Sequence, residues 1–145
     1  MRILLTGAAG VVGTEVASRL AAETAGRTGF QIVPTARRAT GDSPVRWNIG
    51  VEPAPDDLTG RPWDVIVHTA ASTRWTMTRD EATDANIRTL RDVLALAGPD
   101  THVVHVSTAS VGGVRAPADL RGAEFEGYRN GYDGAKAVCE DLGAT

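Results

Sequence analysis

Three glycines at three-residue intervals, in Thr6-Gly7-Ala8-Ala9-Gly10-Val11-Val12-Gly13, set the narrowest limit on what this chain can fold into. They follow a short apolar run, Arg2-Ile3-Leu4-Leu5-Thr6, and open a stretch in which Val12, Val16, Leu20 and Ala21 recur near helical spacing. A strand that turns into a helix over small residues uses glycine for three purposes. One makes the tight turn, one lets the backbone approach a ligand, and one lets the helix pack closely on the strand. The helix mouth then offers free N–H groups and the positive end of its dipole to an anion. A strand–helix turn that binds nothing is the alternative. The regular glycine spacing and the flanks favour a bound diphosphate, contacted by Gly7, Ala9, Gly10, Val11, Val12 and Gly13.

The rest of the chain alternates in the same way. Strands are expected at 30–35, 45–49, 64–68 and 102–107, and helices at 11–24, 80–97 and 131–142. Gly98-Pro99 stops the second helix. Residues 53–60, marked by Pro53, Pro55 and Gly60, are expected as a loop or weak helix, and 111–127, which contains Gly and Pro, as a loop. Alternation of this kind predicts parallel pairing with right-handed crossovers, an α/β doubly wound sheet of the Rossmann type. Residues 1–145 are expected to form one NAD(P)-binding domain. A doubly wound sheet normally continues past its last helix. The chain is therefore expected to be the front half of something longer.

Composition narrows the function. A net charge of −3 argues against a nucleic-acid partner. No run of about 18 apolar residues occurs, so no membrane-spanning helix is expected. The one cysteine, Cys139, excludes a disulfide framework and suits a reducing, cytoplasmic setting. Fourteen of the 15 basic residues are Arg, and the single Lys is Lys136.

That lysine stands in Tyr132-Asp133-Gly134-Ala135-Lys136. On a helix, positions i and i+4 share a face. An ammonium about 5–6 Å away stabilises phenolate, so Lys136 is expected to lower the pKa of Tyr132. A phenol tuned in this way exchanges a proton with a carbonyl oxygen near neutral pH. Ser107, Thr108 and Ser110, at the end of the fifth strand, are candidate hydroxyls for the same oxygen. The second strand ends in Arg37-Arg38 with no carboxylate nearby, which suits a 2′-phosphate and favours NADP(H) over NAD(H). His68, His102 and His105 lie in strands without a ligand cluster and are expected to be structural. Acidic neighbours should raise the pKa of Cys139. Trp75 either lines a substrate cleft or covers a loop, and Tyr128 is expected to be a loop aromatic.

Thr-Gly-x-x-Gly-x-x-Gly with a later Tyr-x-x-x-Lys resembles the extended branch of the short-chain dehydrogenase/reductase superfamily. The likeness covers the whole chain. Asp64-Val65-Ile66-Val67-His68-Thr69-Ala70-Ala71 resembles the fourth-strand motif, implying that Thr69, Ala70 and Ala71 lie beside the cofactor. Asn48-Ile49 matches in position the Asp-hydrophobic pair at adenine, with Asn for Asp. Asn86-Ile87-Arg88-Thr89-Leu90 is similar to Asn-x-x-Gly-Thr, with Arg88 for Gly, and implies an architectural role for Asn86. The resemblance selects Thr108, 24 residues before Tyr132, as the catalytic hydroxyl. It makes Tyr132 the general acid/base, with Lys136 tuning it and binding the nicotinamide ribose. His68-Thr69-Ala70-Ala71-Ser72-Thr73-Arg74-Trp75 and Arg129-Asn130-Gly131-Tyr132 are similar to stretches of fatty-acyl and thioester reductases. The implied function is NAD(P)H-dependent hydride transfer to a carbonyl or thioester carbon of a small-molecule substrate. Nucleotide-sugar epimerases and dehydratases share most of these motifs, and a non-catalytic dinucleotide sensor is a third reading. The resemblance implies that the part absent from this front half holds the remaining strands and the substrate-binding region. It also implies a homodimer through helices 80–97 and 131–142, whose apolar faces would serve the core equally well.

Overall fold

Ile3, Leu4, Leu5 and Thr6 of the first strand, β1 (Arg2–Thr6), are all buried, as in a strand covered on both faces. The computed structural model describes residues 1–38, 41, 45–111 and 128–143. Beside β1 stand β2 (Gln31–Ala36), β3 (Val45–Arg46), β4 (Val65–His68) and β5 (His102–His105). They form a parallel sheet in the order β3-β2-β1-β4-β5. Leu4 pairs with Val33 on one side and Ile66 on the other, and Ile66 with Val103. The chain leaves β1 toward β2 and later returns to its other side as β4. That reversal is a topological switch point, where open α/β sheets bind ligands outside the strand ends.

The described residues fall into two compact units. The first, Met1–Ala70 with Arg91–Val106, holds the whole sheet. Its core gathers Leu4, Trp47, Leu58, Trp63, Ile66 and Val93. Both indoles are anchored by the same loop region: Trp47 Nε1 donates to Glu52 O at 3.1 Å, and Trp63 Nε1 to Leu58 O at 3.1 Å. Within that region Asp56–Leu58 forms a single 3₁₀ turn and seats the buried Leu58. The helix α1 (Val11–Thr24) buries Gly13 fully and Val16, Ala17 and Leu20 in part.

The second unit holds Ala71–Leu90 and the described residues of Ser107–Thr145. The helix α2 (Arg79–Leu94) contributes to both units and begins in the second with a reciprocal cap. Glu81 N–H donates to Thr78 Oγ1 at 3.3 Å, and Thr78 N–H donates to Glu81 Oε2 at 2.9 Å. The helix α3 (Gly131–Gly143) is capped by Asn130, whose Oδ1 accepts from Asp133 N–H at 2.9 Å. Met77, Ala82 and Ala135 form the apolar cluster of this unit, joined by Ala85 and Tyr132.

The expected elements are present with shifted ends. β3 stops two residues in, because Asn48 O turns back to accept from Val51 and Glu52 N–H at 3.1 and 3.0 Å. The regular part of α2 ends at Leu94 rather than at 97. Leu96 and Ala97 there make tighter i→i−3 bonds to Val93 and Leu94. Residues 112–127, most of the expected Gly/Pro loop and including Gly112 and Gly113, lie outside the described residues. Among the described residues no helix is long and apolar enough to cross a membrane, and no group of three or more His, Cys, Asp or Glu could hold a metal ion.

Leu4→Ala should lower the unfolding free energy by about 2–5 kcal/mol in a urea titration. A loss below about 1 kcal/mol would place the core elsewhere than the centre of this sheet.

Candidate functional site

Parallel strands bring their carboxyl ends to one edge, so the segments after β1, β2, β3, β4 and β5 emerge together in the first unit. The glycine loop is built at the middle of that edge. Gly7 has a φ of 73°, and a Cβ there would lie 2.6 Å from Ala70 N and 2.8 Å from Thr69 Oγ1. Any side chain would be both strained and blocked. At Gly13 a Cβ would lie 2.1 Å from Gly7 O and 2.8 Å from Ala8 Cα. The first turn of α1 therefore rests directly on the loop. The loop is tied to both neighbours of β1: Ala8 N–H donates to Thr35 O at 3.0 Å, and Thr69 Oγ1 to Thr6 O at 2.7 Å. Thr14 Oγ1 closes it from the helix side, donating to Gly10 O and Ala8 O at 2.9 and 3.2 Å.

The mouth of α1 is arranged for an anion. Gly10 caps it without a side-chain hydrogen bond, and its first turn carries no acidic residue. Val11 is 93% exposed, and Ala9, Gly10 and Val12 are exposed as well. These features fit a dinucleotide diphosphate. Arg37 and Arg38 are exposed directly beyond β2. Asn48 is half-buried at the turn after β3, whereas Ile49 packs on the core cluster. Thr69 and Ala70, half-buried, back the glycine loop. His68 is buried, with Nδ1 2.7 Å from Thr6 Oγ1 and its ring stacked on His105 at 5.3 Å. His102 is exposed.

In the second unit Asn86 is buried, with its side-chain amide ordering the segment that follows β4. It accepts from Ser72 N–H at 3.0 Å and donates to Ser72 O at 3.3 Å and Ala82 O at 3.0 Å. Ala71, next to it, is exposed. Tyr132 and Lys136 lie one turn apart on α3, the phenol half-buried against the cluster of Met77, Ala82 and Ala135, the ammonium buried. Of the three hydroxyls after β5, Ser110 Oγ accepts from Arg129 Nη2, and Ser107 Oγ is buried without a hydrogen-bond partner among the described residues. Thr108 Oγ1 accepts from Ser110 N–H at 3.4 Å.

The ionisation of the pair runs against expectation. Burial, then the negative charges at Asp133 and Cys139, hold Tyr132 above the usual phenol range. The net direction is upward, so the expected lowering of Tyr132 is overturned. Burial holds Lys136 below the usual ammonium range, opposed by Cys139 and Glu140. Cys139 is raised, as expected, but burial is the main cause and Glu140 a smaller one.

Sequence reasoning placed Gly131 in a family-like stretch but missed why it must be glycine. A Cβ there would lie 2.8 Å from Thr78 O and 3.0 Å from Met77 O, so only glycine lets α3 begin so close to that segment. It also missed the cap at Asn130. The Asn-x-x-Asp spacing of Asn130 and Asp133 ahead of a helix was the available signal.

A model of the family described as Male sterility protein matches residues 45–144, a span that begins beyond the glycine loop. No curated protein matches the chain. Among solved structures, the terminal R domain from the myxalamid PKS-NRPS biosynthetic pathway is 26% identical with a TM-score of 0.68, covering 97% of this chain and 44% of that one. A short-chain dehydrogenase/reductase superfamily protein from Agrobacterium tumefaciens with bound NAD is 23% identical, with a TM-score of 0.71 over 98% of this chain and 44% of that one. UDP-glucuronic acid 4-epimerase from Bacillus cereus in complex with NAD is 21% identical, with a TM-score of 0.70 over 99% and 51%. The chain thus spans about half the length of these structures, or somewhat less.

In an ordinary helix Gly→Ala gains up to about 1 kcal/mol. Gly13→Ala should instead lose about 1–3 kcal/mol by overpacking, while Gly41→Ala, which meets nothing within 4 Å, should stay near neutral. Paired urea midpoints measure this. A stabilised Gly13→Ala variant would remove the close seat of α1 on the loop.

Proposed function

Because this chain belongs to the male sterility protein family, within the extended short-chain dehydrogenase/reductase superfamily, we propose that it is the dinucleotide-binding part of an NADP(H)-dependent reductase of acyl thioesters. One observation carries the reading. The first turn of α1 is open, free of carboxylates, and seated on a loop that has no room for a Cβ at Gly7 or Gly13. Gly7, Ala9, Gly10, Val11, Val12 and Gly13 would hold the diphosphate, with Thr69, Ala70 and Ala71 lining the nicotinamide side and Asn48 and Ile49 the adenine side. Arg37 and Arg38 would take the 2′-phosphate by charge-assisted bonds.

When bound, the reduced nicotinamide supplies a hydride. Thr108 would donate a hydrogen bond to the thioester oxygen. Tyr132 would give that oxygen its proton as the hydride adds to carbon, and the resulting thiohemiacetal would release the thiol and leave an aldehyde. A phenol held above its usual pKa keeps its proton at neutral pH, which suits a donor in the reducing direction. Lys136 would bind the nicotinamide ribose, and Asn86 would keep the segment after β4 in place. The likeness to a terminal R domain at 26% identity, against 21% for the UDP-glucuronic acid 4-epimerase, supports a reductase over an epimerase.

Fluorescence titration should give NADPH at least tenfold tighter than NADH, and Arg37→Ala with Arg38→Ala should erase the difference. Equal affinities in the parent protein would remove the 2′-phosphate assignment. Tyr132→Phe should cut NADPH-dependent reduction of an acyl-coenzyme A probe by about 10²–10⁴-fold and leave NADPH affinity within twofold. Unchanged turnover would sink the proton-donor role. Intact NADPH binding without turnover in either protein would favour a sensor.

A further inference from the structure

Asp133 is a buried carboxylate, 3% exposed, in the first turn of α3 and next in sequence to Tyr132. A buried charge must be paired and hydrogen-bonded. Arg129 supplies the pairing, with Nε at 3.1 Å and Nη2 at 3.0 Å from Asp133 Oδ2. The same Nη2 donates to Ser110 Oγ, and Ser110 N–H reaches Thr108 Oγ1. Asn130 completes the arrangement by accepting from Asp133 N–H and placing its Nδ2 3.5 Å from Asp133 Oδ2. One guanidinium therefore joins the segment bearing Thr108 to the turn bearing Tyr132.

We propose that Arg129 is a positioning residue for Tyr132, acting through Asp133: it clamps the carboxylate, fixes the first turn of α3, and compensates the negative charge beside the phenol. This rests on the reading of Tyr132 as proton donor. The groups around the phenol support it. On α3 they are Asp133, Cys139 and, one turn on, Lys136, while Arg129 precedes the helix. From the other segment, the members of the cluster it packs on, Met77 and Ala82, carry no charge. Asp133 is the only carboxylate among the causes that hold the phenol's pKa up, so its own compensation bears directly on the phenol.

The chain has two tyrosines, so in a Tyr128→Phe background tyrosinate absorbance reads Tyr132 alone. The titration is followed by stopped-flow pH jump, ahead of alkaline unfolding, with far-UV circular dichroism confirming the fold. Arg129→Met should move the midpoint up by about one pH unit, and Asp133→Asn should move it down. Arg129→Lys, which keeps the charge but loses the fork, should fall between parent and Arg129→Met. In the Asp133→Asn background, Arg129→Met should have no further effect. An unmoved midpoint in folded Arg129→Met, or an equal shift with and without the Asp133 carboxylate, would overturn the proposal. If Arg129→Met does not fold, Asp133→Asn and Arg129→Lys decide it, and a midpoint that either leaves unchanged counts against it. The measurement needs no cofactor or substrate, so its failure is separate from loss of NADPH binding or of turnover.

Discussion

The seat of α1 on the glycine loop is the contact from which the rest of the first unit follows. Gly13 has no side chain because the carbonyl oxygen of Gly7 occupies the place where one would go. Gly7 in turn takes a left-handed φ under the backbone of Ala70. The loop is therefore pressed between the helix above it and the end of β4 beside it. Hydrogen bonds to Thr35 and Thr6 tie the same few residues to β2 and β1. The loop is held by three parallel strands in register, and the helix mouth beside it is exposed. Fold and proposed diphosphate seat are one steric arrangement here.

The second unit is organised by buried polar groups that are satisfied locally. Asn86 spends its amide on Ser72 and Ala82, and Asp133 is held by Arg129 and Asn130. Leaving such groups unpaired would cost on the order of 1–3 kcal/mol each, so they specify the local backbone tightly. The burial that does this also sets the chemistry. It presses Tyr132 and Lys136 toward their neutral forms, which leaves the phenol with its proton. A half-buried phenol among methionine and alanine side chains gains nothing from a charge it cannot solvate.

Much of the fold was legible because its signals are local. The apolar runs of β1 and β4 and the period of α1 need only nearby residues to be read. Element ends were less legible. β3 is cut short by the turn at Asn48, and α2 starts where Thr78 and Glu81 cap each other, a cap whose spacing the sequence did contain. Trp47 and Trp63, unremarkable in sequence, are core residues because a long connection folds back over them.

By itself the sequence determined the parallel alternating architecture and the glycine loop, since both rest on steric rules that act over a few residues. It also placed Tyr132 and Lys136 one helical turn apart. Only the tertiary structure decided how that pair ionises, why position 131 must be glycine, and that Arg129 spans Asp133 and Ser110. Burial and charge compensation depend on which distant segments pack around a group, and spacing along the chain carries no record of them.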